Sequence, residues 1–239
     1  MLQYRNMAKL LKQASEEVAE EKGVPAKPIV FSICEWGRNT PHKWGKTAGN
    51  MWRTTGDIMP KWWRVMMIYD ATVKLYKYAS KGHWNDPDML EVGNGDLTPS
   101  ENRAHFSLWC MMASPLILGN DLRTIPASVL DIVTNKNMIA IDQDSLGKQA
   151  KRIAKGSVDI LVKPLSDNST AICFFNRSKH TKNVDFSLAK LHSEPYIDMP
   201  VGKYKAIDMW SDEEINLDKS MMCDIESHDV KVYKLIKIQ

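Results

Sequence analysis

Strand-like and helix-like segments alternate over residues 3–141, and this alternation constrains the fold more than any other feature of the sequence. Apolar residues at helical spacing predict helices over residues 3–22, 61–80, 98–113 and 126–141. Thr98, Pro99 and Glu101 give the third of these helices an N-cap, a first-turn proline and a capping-box glutamate. Short β-compatible segments predict strands at residues 28–34, 53–58, 84–90 and 116–119. Strands that alternate with helices indicate a parallel α/β architecture.

A different pattern begins near Gly147. Short β-like runs then recur between turns rich in Asn, Asp, Gly, Ser and Pro, at residues 158–162, 170–176, 183–188, 204–210 and 230–238. Such runs are typical of a small antiparallel β domain. The sequence therefore predicts an α/β portion at residues 1–147 and a C-terminal antiparallel β domain at residues 148–239.

Composition and charge argue against several classes of function. Of the 239 residues, 44% are hydrophobic and 26% are charged, which is typical of a globular protein. The formal net charge of +3 and the lack of a Lys/Arg block argue against a nucleic-acid surface. No apolar stretch reaches the roughly 18 residues of a membrane span. The cysteines are few, scattered and without a CxxC pair, so neither a zinc site nor a disulfide scaffold is predicted.

Arg53 and Asp57 lie four residues apart in a predicted strand. Because side chains alternate along a strand, both are expected on the same face. The C-terminal ends of parallel strands form the rim on which active sites lie. There Asp57 could donate a proton to a leaving oxygen, and Arg53 could hold sugar hydroxyls. The alternative interpretation is a structural ion pair at the end of the strand.

Two further segments have the composition of a sugar site. Residues 84–88 place a tryptophan, an amide and two carboxylates within a short stretch of chain. Sugars present C–H surfaces to aromatic rings and pairs of hydroxyls to carboxylates, whereas the alternative is an Asx-type turn before Pro87. Glu35 and Trp36 follow the first predicted strand. Glu35 could bind a hydroxyl, or it could be a surface glutamate beside a packing tryptophan.

Several blocks of the sequence together resemble the retaining α-galactosidases of glycoside hydrolase family 27. The blocks are Cys-Glu-Trp-Gly at 34–37, Gly-Asn-Met-Trp-Arg-Thr-Thr-Gly-Asp-Ile at 49–58, Trp-Asn-Asp-Pro-Asp-Met-Leu at 84–90 with its extension to 95, and residues 113–123 and 139–149. They follow the order and spacing of the family over almost the whole chain. The resemblance implies the C-terminal half of a (β/α)8 TIM barrel followed by a small antiparallel β domain.

The resemblance also implies roles for individual residues. Asp57 corresponds to the catalytic acid/base, while Glu35, Arg53 and Asp88 correspond to residues that contact galactose hydroxyls. Glu35 favours galactose, because related α-N-acetylgalactosaminidases have a small residue there that leaves room for the acetamido group. The implied activity is retaining hydrolysis of terminal α-D-galactosyl residues. This chemistry uses two carboxylates, so no cofactor is expected, and the sequence contains no cluster of metal-ligand residues.

Two departures from the family pattern bear on redox state and activity. The family often pairs the cysteine at the position of Cys34 with a cysteine at the position of Gly49. The glycine at position 49 means that this disulfide is not expected here. Its absence predicts a cytoplasmic location. The family's nucleophilic Asp lies on the fourth barrel strand. The chain is expected to begin at the helix after that strand, which leaves strands five to eight and makes hydrolysis by the chain alone doubtful.

A half-barrel has two free strand edges, which invite pairing with other chains. The expected partners are a galactoside substrate and either a complementing N-terminal half or a second copy, with no nucleic acid and no membrane. Three alternatives stay open. The chain could be an inactive fragment or a weak galactoside-binding remnant, a related enzyme that acts on β-L-arabinopyranosides, or an inverting hydrolase that uses Asp57 and Asp88.

Overall fold

The computed structural model describes residues 1–238, which form an α/β part followed by an antiparallel β part. The α/β part has three short parallel strands that are neighbours in chain order: β1 (Ser32–Ile33), β2 (Met51–Arg53) and β3 (Trp84–Asp86). A separate parallel bridge joins Leu90 to Leu118. Because the strands are parallel, the polar segments that follow them emerge at the same edge of the sheet.

The helices of this part are α1 (Leu2–Lys22), α2 (Pro41–Trp44), α3 (Trp62–Thr72), α4 (Pro99–Met111), α5 (Ala127–Val133) and α6 (Lys136–Asp142). The capping box predicted for α4 is present, since the Thr98 hydroxyl accepts from the Glu101 N–H and the Glu101 carboxylate accepts from the Thr98 N–H. α4 is the central helix, and it packs against α3, α5, α6 and the β part. None of the described helices is long and apolar enough to cross a membrane.

The β part consists of β4 (Lys151–Ala154), β5 (Val158–Pro164), β6 (Thr170–Asn176), β7 (Lys182–Ser187), α7 (Ala189–His192), β8 (Tyr204–Asp208), β9 (Glu214–Leu217), β10 (Ser220–Ile225) and β11 (Val230–Lys237). Six strands form an antiparallel sheet in the order β4-β5-β6-β11-β8-β9, and β7 and β10 form a second, two-stranded sheet. Side chains of β6 alternate between two cores, as the pleat requires. Cys173 and Phe175 face the α/β part, whereas Ile172 and Phe174 face the second sheet.

One hydrophobic core is therefore continuous across the junction between the two parts. It includes Tyr69 of α3, Trp109 of α4 and Met138 of α6, together with the inner face of β6 and Val232 of β11. Burial of this many large apolar side chains at about 25 cal/mol per Å² makes the junction a major source of stability. The β part thus packs against the helices that surround the parallel strands.

Charged side chains also cross the junction. Arg152 and Arg177 of the β part each contact both Asp70 of α3 and Asp159 of β5, at 2.7 to 2.9 Å. Asp159 is completely buried and also accepts hydrogen bonds from the Tyr69 hydroxyl, at 3.0 Å, and from a backbone N–H. Hydrogen bonds from Arg177 lower the pKa of Asp70 to about 2. We refer to these five residues as the junction charge cluster.

A second buried charged group lies between α6 and β5. Lys163 is completely buried, and its ammonium donates to the main-chain oxygen of Ile141 at 2.5 Å. Burial raises the pKa of the neighbouring Asp142 to about 7, although the charge of Lys163 opposes this shift. Burial likewise lowers the pKa of Lys163 to about 8. Burial therefore disfavours the charged form of each group relative to its form in water.

The cysteines differ strongly in accessibility. All four are free; Cys34 is exposed, Cys110 and Cys173 are buried, and Cys223 is half-buried. Gly49 lies so close to β1 that an added Cβ would be 2.6 Å from the main-chain oxygen of Phe31. Any side chain at this position would displace the backbone of the neighbouring segment.

The first predicted strand is wrong in extent and burial. Only Ser32–Ile33 pairs as a strand, and residues 28–30 of the predicted run are exposed, with Val30 at 72%. The physical reason is that β1 has a strand partner on one side only, β2, so the segment before it has nothing to pack against. α1 likewise has no buried residue, although its sequence pattern is amphipathic.

Other differences have local causes. The predicted helix at 126–141 is two helices, because the Asn135 side chain accepts from the Met138 N–H and caps a new helix, α6. The helix predicted to reach residue 80 ends as α3 at Thr72, followed by a 3-10 turn at Val73–Leu75. Strands β4, β9 and β10 have no counterpart among the predicted runs.

Candidate active site

The ends of β1, β2 and β3 bring the predicted site residues to one edge of the sheet. Glu35 follows β1, Arg53 ends β2, and Asp88 follows β3. The Gly37 N–H donates to the main-chain oxygen of Arg53 at 3.1 Å, which ties the first two strand ends together. The Thr54 N–H donates to the main-chain oxygen of Asp86 at 2.8 Å, which ties the second to the third.

Arg53 is the centre of the site. Its Nη2 atom lies 2.9 Å from Asp57 Oδ1 and 2.6 Å from Asp88 Oδ2. The three side chains differ in exposure, at 12% for Arg53, 9% for Asp88 and 65% for Asp57. Asp57 is therefore the more accessible carboxylate, and Asp88 lies deeper, at the base of the site, as a partner of the guanidinium.

Asp57 reaches Arg53 by a different route from the one predicted. β2 ends at Arg53, so Asp57 lies in the irregular segment between β2 and α3 and is not on the strand. The prediction that both residues share a strand face is wrong, although the side chains do meet. The chain turns after Thr54, and this turn brings Asp57 back over the end of the strand.

Asp88 is fixed by a set of backbone hydrogen bonds. Its Oδ2 accepts from the Ile58 N–H and its Oδ1 from the Met89 N–H, both at 2.8 Å. Its own N–H donates to Asp86 Oδ1 at 2.8 Å, which is the Asx-type turn considered from the sequence. Burial raises the pKa of Asp86, and the hydrogen bond from Asp88 and the charge of Arg53 partly oppose this. Asp88 also has a φ of 85°, a left-handed conformation that costs energy in a non-glycine residue.

Glu35 is held by the loop that follows it. The Asn39 side-chain amide donates to Glu35 Oε2 at 2.8 Å, and the Trp44 indole donates to the main-chain oxygen of Asn39 at 2.9 Å. Four of the five residues from Trp36 to Thr40 have a positive φ. At Gly37 only glycine fits, because an added Cβ would collide with the main-chain oxygen of Thr54. A loop that stores this much backbone strain is typical of a functional site.

Behind the strand ends lies a buried aromatic layer. The Trp109 indole donates to the main-chain oxygen of Asp88 at 2.8 Å, and His105 packs edge-on against Trp109 with ring centroids 4.2 Å apart. His105 Nε2 accepts from the Glu91 N–H at 3.0 Å, and burial lowers the pKa of His105 to about 3. His105 is thus a neutral packing residue.

Two contacts at the site involve residues that sequence reasoning missed. One is the contact of Asn39 with Glu35. In the other, Arg64 Nε and Nη2 both donate to the main-chain oxygen of Asp57, at 2.7 and 2.5 Å. Neither belongs to a recognisable motif. The only signal in the sequence is that an arginine follows Asp57 within the first turn of the next helix.

The geometry restricts the reaction. Because Asp57 Oδ1 and Asp88 Oδ2 contact the same nitrogen at 2.9 and 2.6 Å, they lie no further apart than the sum, 5.5 Å. Inverting glycosidases separate their carboxylates by about 6.5 to 9.5 Å to leave room for a water molecule. The inverting alternative with Asp57 and Asp88 therefore does not fit. Asp57 remains as an exposed proton donor or acceptor beside a guanidinium.

Comparisons with known proteins match both parts of the chain to domains of the same family of proteins. Residues 3–144 match the family described as "Alpha galactosidase A", and residues 155–235 match the "Alpha galactosidase C-terminal beta sandwich domain". Alpha-galactosidase A of Cellvibrio japonicus is 41% identical over 87% of this chain, and the match covers 56% of that protein. The chain therefore spans about half the length of this relative.

Solved structures give the same result for the fold. Alpha-galactosidase I from Mortierella vinacea superposes with a TM-score of 0.84 at 27% identity, covering 98% of this chain and 62% of that one. A β-L-arabinopyranosidase of glycoside hydrolase family 27 from Geobacillus stearothermophilus has a TM-score of 0.78 at 22% identity, covering 94% of this chain and 53% of that one. The predicted fold class, a partial (β/α)8 barrel followed by an antiparallel β domain, is confirmed.

Proposed function

The chain belongs to the alpha-galactosidase family, glycoside hydrolase family 27, and we propose that it supplies the acid/base side of a site for retaining hydrolysis of terminal α-D-galactosides. One observation carries this proposal. Asp57 is a solvent-accessible carboxylate held 2.9 Å from a shielded guanidinium, at the edge where three parallel strands end. A carboxylate in this position can protonate a leaving oxygen and later remove a proton from water.

Three neighbouring residues support the choice of sugar. Arg53 offers N–H donors, Asp88 an acceptor at the base of the site, and Glu35 a second acceptor held by Asn39. Donors and acceptors of this kind match the adjacent hydroxyls of galactose. By the family resemblance, Glu35 stands where related α-N-acetylgalactosaminidases have a small residue, which favours a hydroxyl over an N-acetyl group on the sugar.

The retaining mechanism also needs a nucleophile about 5 Å from Asp57. Asp88 is near enough, but its two oxygens already accept two N–H groups and contact Arg53, so it is a weak nucleophile. We infer that the nucleophile is a carboxylate outside these 239 residues. It would attack the anomeric carbon while Asp57 protonates the departing oxygen, and water activated by Asp57 would then release the sugar.

The structure has a surface that suits a complementing polypeptide. β1 is an edge strand, and a groove of about 400 Å³ runs between α1 and the chain before β1, lined by Leu11, Pro28 and Phe31 among others. Unpaired strand edges bind extended chain. We propose that this groove and edge receive the segment that carries the nucleophile, in preference to a second copy of this chain.

Hydrolysis of an aryl α-D-galactopyranoside tests these proposals. The chain is assayed alone and fused to the part of the Cellvibrio japonicus relative that precedes its matched segment. We expect hydrolysis by the fusion, loss of more than about 99% of it in Asp57→Asn, and little change in Asp96→Asn, a matched exposed aspartate.

Each other outcome has a defined meaning. Hydrolysis by the chain alone that Asp57→Asn abolishes would refute the external nucleophile, and sedimentation would then show whether a dimer is the active form. A fusion that binds galactose without hydrolysis would support the binding-remnant alternative. Faster hydrolysis of the aryl β-L-arabinopyranoside than of the galactoside would reassign the substrate.

A further inference from the structure

Arg64 makes an unusual contact with the main chain beside the acid/base. Its Nε and Nη2 atoms both donate to the carbonyl oxygen of Asp57, and its Nη1 lies 3.8 Å from the sulfur of Met67. Two N–H groups of a planar guanidinium on one acceptor fix the acceptor's direction as well as its distance. Asp57 lies in an irregular segment, so its carbonyl has no helix or sheet partner that could do this.

The other end of the same peptide group is also held. The Asp57 carbonyl and the Ile58 N–H belong to one planar unit, and that N–H donates to Asp88 Oδ2 at 2.8 Å. Arg64 therefore holds one end of this peptide plane and Asp88 holds the other. With the plane fixed, the Asp57 Cα atom, which lies in this plane, is held in place, and this limits the directions in which the Asp57 side chain can leave the backbone.

This backbone restraint matters because the side chain has little restraint of its own. The Asp57 side chain is 65% exposed, and its hydrogen-bond partner among the described residues is Arg53 alone. A side chain with one partner and free solvent around it can rotate unless its Cα–Cβ bond is correctly aimed. Catalytic carboxylates need placement to within about half an ångström.

We propose that Arg64 is a positioning residue that aims Asp57 at the leaving oxygen by holding the Asp57–Ile58 peptide group. The proposal rests on the proposed role of Asp57 as acid/base. A lysine at this position would keep the charge but would present one donor direction instead of a fork. Arg64→Lys should therefore restore only part of what Arg64→Gln loses.

Kinetics provide the first test, in whichever form proves active, the chain alone or its fusion. We expect Arg64→Gln to lower kcat about 10- to 100-fold, since a misplacement of about 1 Å costs on the order of 100-fold, while KM changes less than about threefold. Arg64→Lys should fall between this variant and the parent. Lys61→Gln is the matched control, because it removes a positive charge next to the same helix, where Lys61 pairs with Asp96 at the surface.

Amide hydrogen exchange at Ile58 provides the second test and needs no activity. We expect exchange of this N–H to become at least about tenfold faster in Arg64→Gln and to stay unchanged in Lys61→Gln, with the urea midpoint of each variant measured to exclude unfolding. Unchanged exchange in Arg64→Gln would overturn the proposal. So would faster exchange with an unchanged kcat, or a change confined to KM. If neither the chain alone nor its fusion hydrolyses a galactoside, the proposed function fails, and exchange still decides whether Arg64 holds this peptide group.

Discussion

Replacing Asp159 by alanine is the most demanding test of the junction between the two parts of the chain. Asp159 is completely buried and accepts from Arg152, Arg177 and the Tyr69 hydroxyl at 2.9 to 3.0 Å. The substitution removes the one member of the junction charge cluster that all of these groups share. It leaves a buried hydroxyl without an acceptor and leaves Asp70 as the remaining carboxylate for two guanidinium groups.

The expected loss follows from these contacts. Breaking a buried ion pair by removing one partner costs about 3 to 5 kcal/mol, because the remaining charge stays desolvated. The unsatisfied Tyr69 hydroxyl alone accounts for about 1 to 3 kcal/mol. Asp70 is partly exposed, and it continues to neutralise the arginines, which keeps the expected loss of unfolding free energy nearer 3 than 5 kcal/mol.

Urea unfolding followed by tryptophan fluorescence measures this loss. With a slope of roughly 2 to 3 kcal/mol per M, the midpoint should fall by about 1 to 2 M. Glu214→Ala is the control, since it removes an exposed partner of Lys205 and should cost less than about 1 kcal/mol. An Asp159→Ala variant as stable as this control would show that the junction is held by apolar packing alone, and the reasoning from the charge cluster would be wrong.

Three further predictions concern pH, a helix start and the candidate site. The raised pKa of Asp142, about 7, means that its contribution to stability is present below the unfolded pKa and is lost as pH rises to 7. The free energy of unfolding of Asp142→Asn, measured thermally, should therefore rise relative to that of the parent by on the order of 2 kcal/mol between pH 5 and 7. A difference that does not change with pH would contradict this. Thr98→Ala should cost about 1 kcal/mol in urea unfolding because Glu101 loses its capping partner, and a cost below about 0.3 kcal/mol would show that packing alone fixes the helix start. Asn39→Ala should raise the Kd for galactose, measured by calorimetry, by about three- to tenfold by releasing Glu35, and an unchanged Kd would remove Asn39 from the site.

The division into an α/β part and an antiparallel β part was predictable because each part carries a strong local pattern, whereas the partial barrel was implied by the family resemblance. The Thr98 to Glu101 segment specifies a helix start by itself, and the continuous apolar run along β6 indicates a strand buried on both faces. The first strand was not predictable in the same way. Its apolar residues indicate burial, but burial needs a neighbour, and the outer side of β1 has no strand against it.

The candidate site was predictable only where it consists of recognisable side chains. Arg53, Asp57 and Asp88 belong to short blocks with a characteristic order, and the structure brings all three together. Arg64 and Asn39 were missed because their contacts depend on how irregular loops fold back. Main-chain acceptors and left-handed residues leave no periodic signal in a sequence. The residues that orient a site are therefore harder to find than the residues that compose it.

The steric exclusion at Gly49 has a practical consequence for labelling chemistry. Because residue 49 is glycine, Cys34 has no cysteine at that position to pair with, and it is exposed one residue before Glu35. Cys110 and Cys173 are buried, and burial raises the pKa of Cys223 to about 11, so these three thiols are protected from mild alkylation. The unmodified chain thus offers a single attachment point for a fluorophore at the edge of the candidate site.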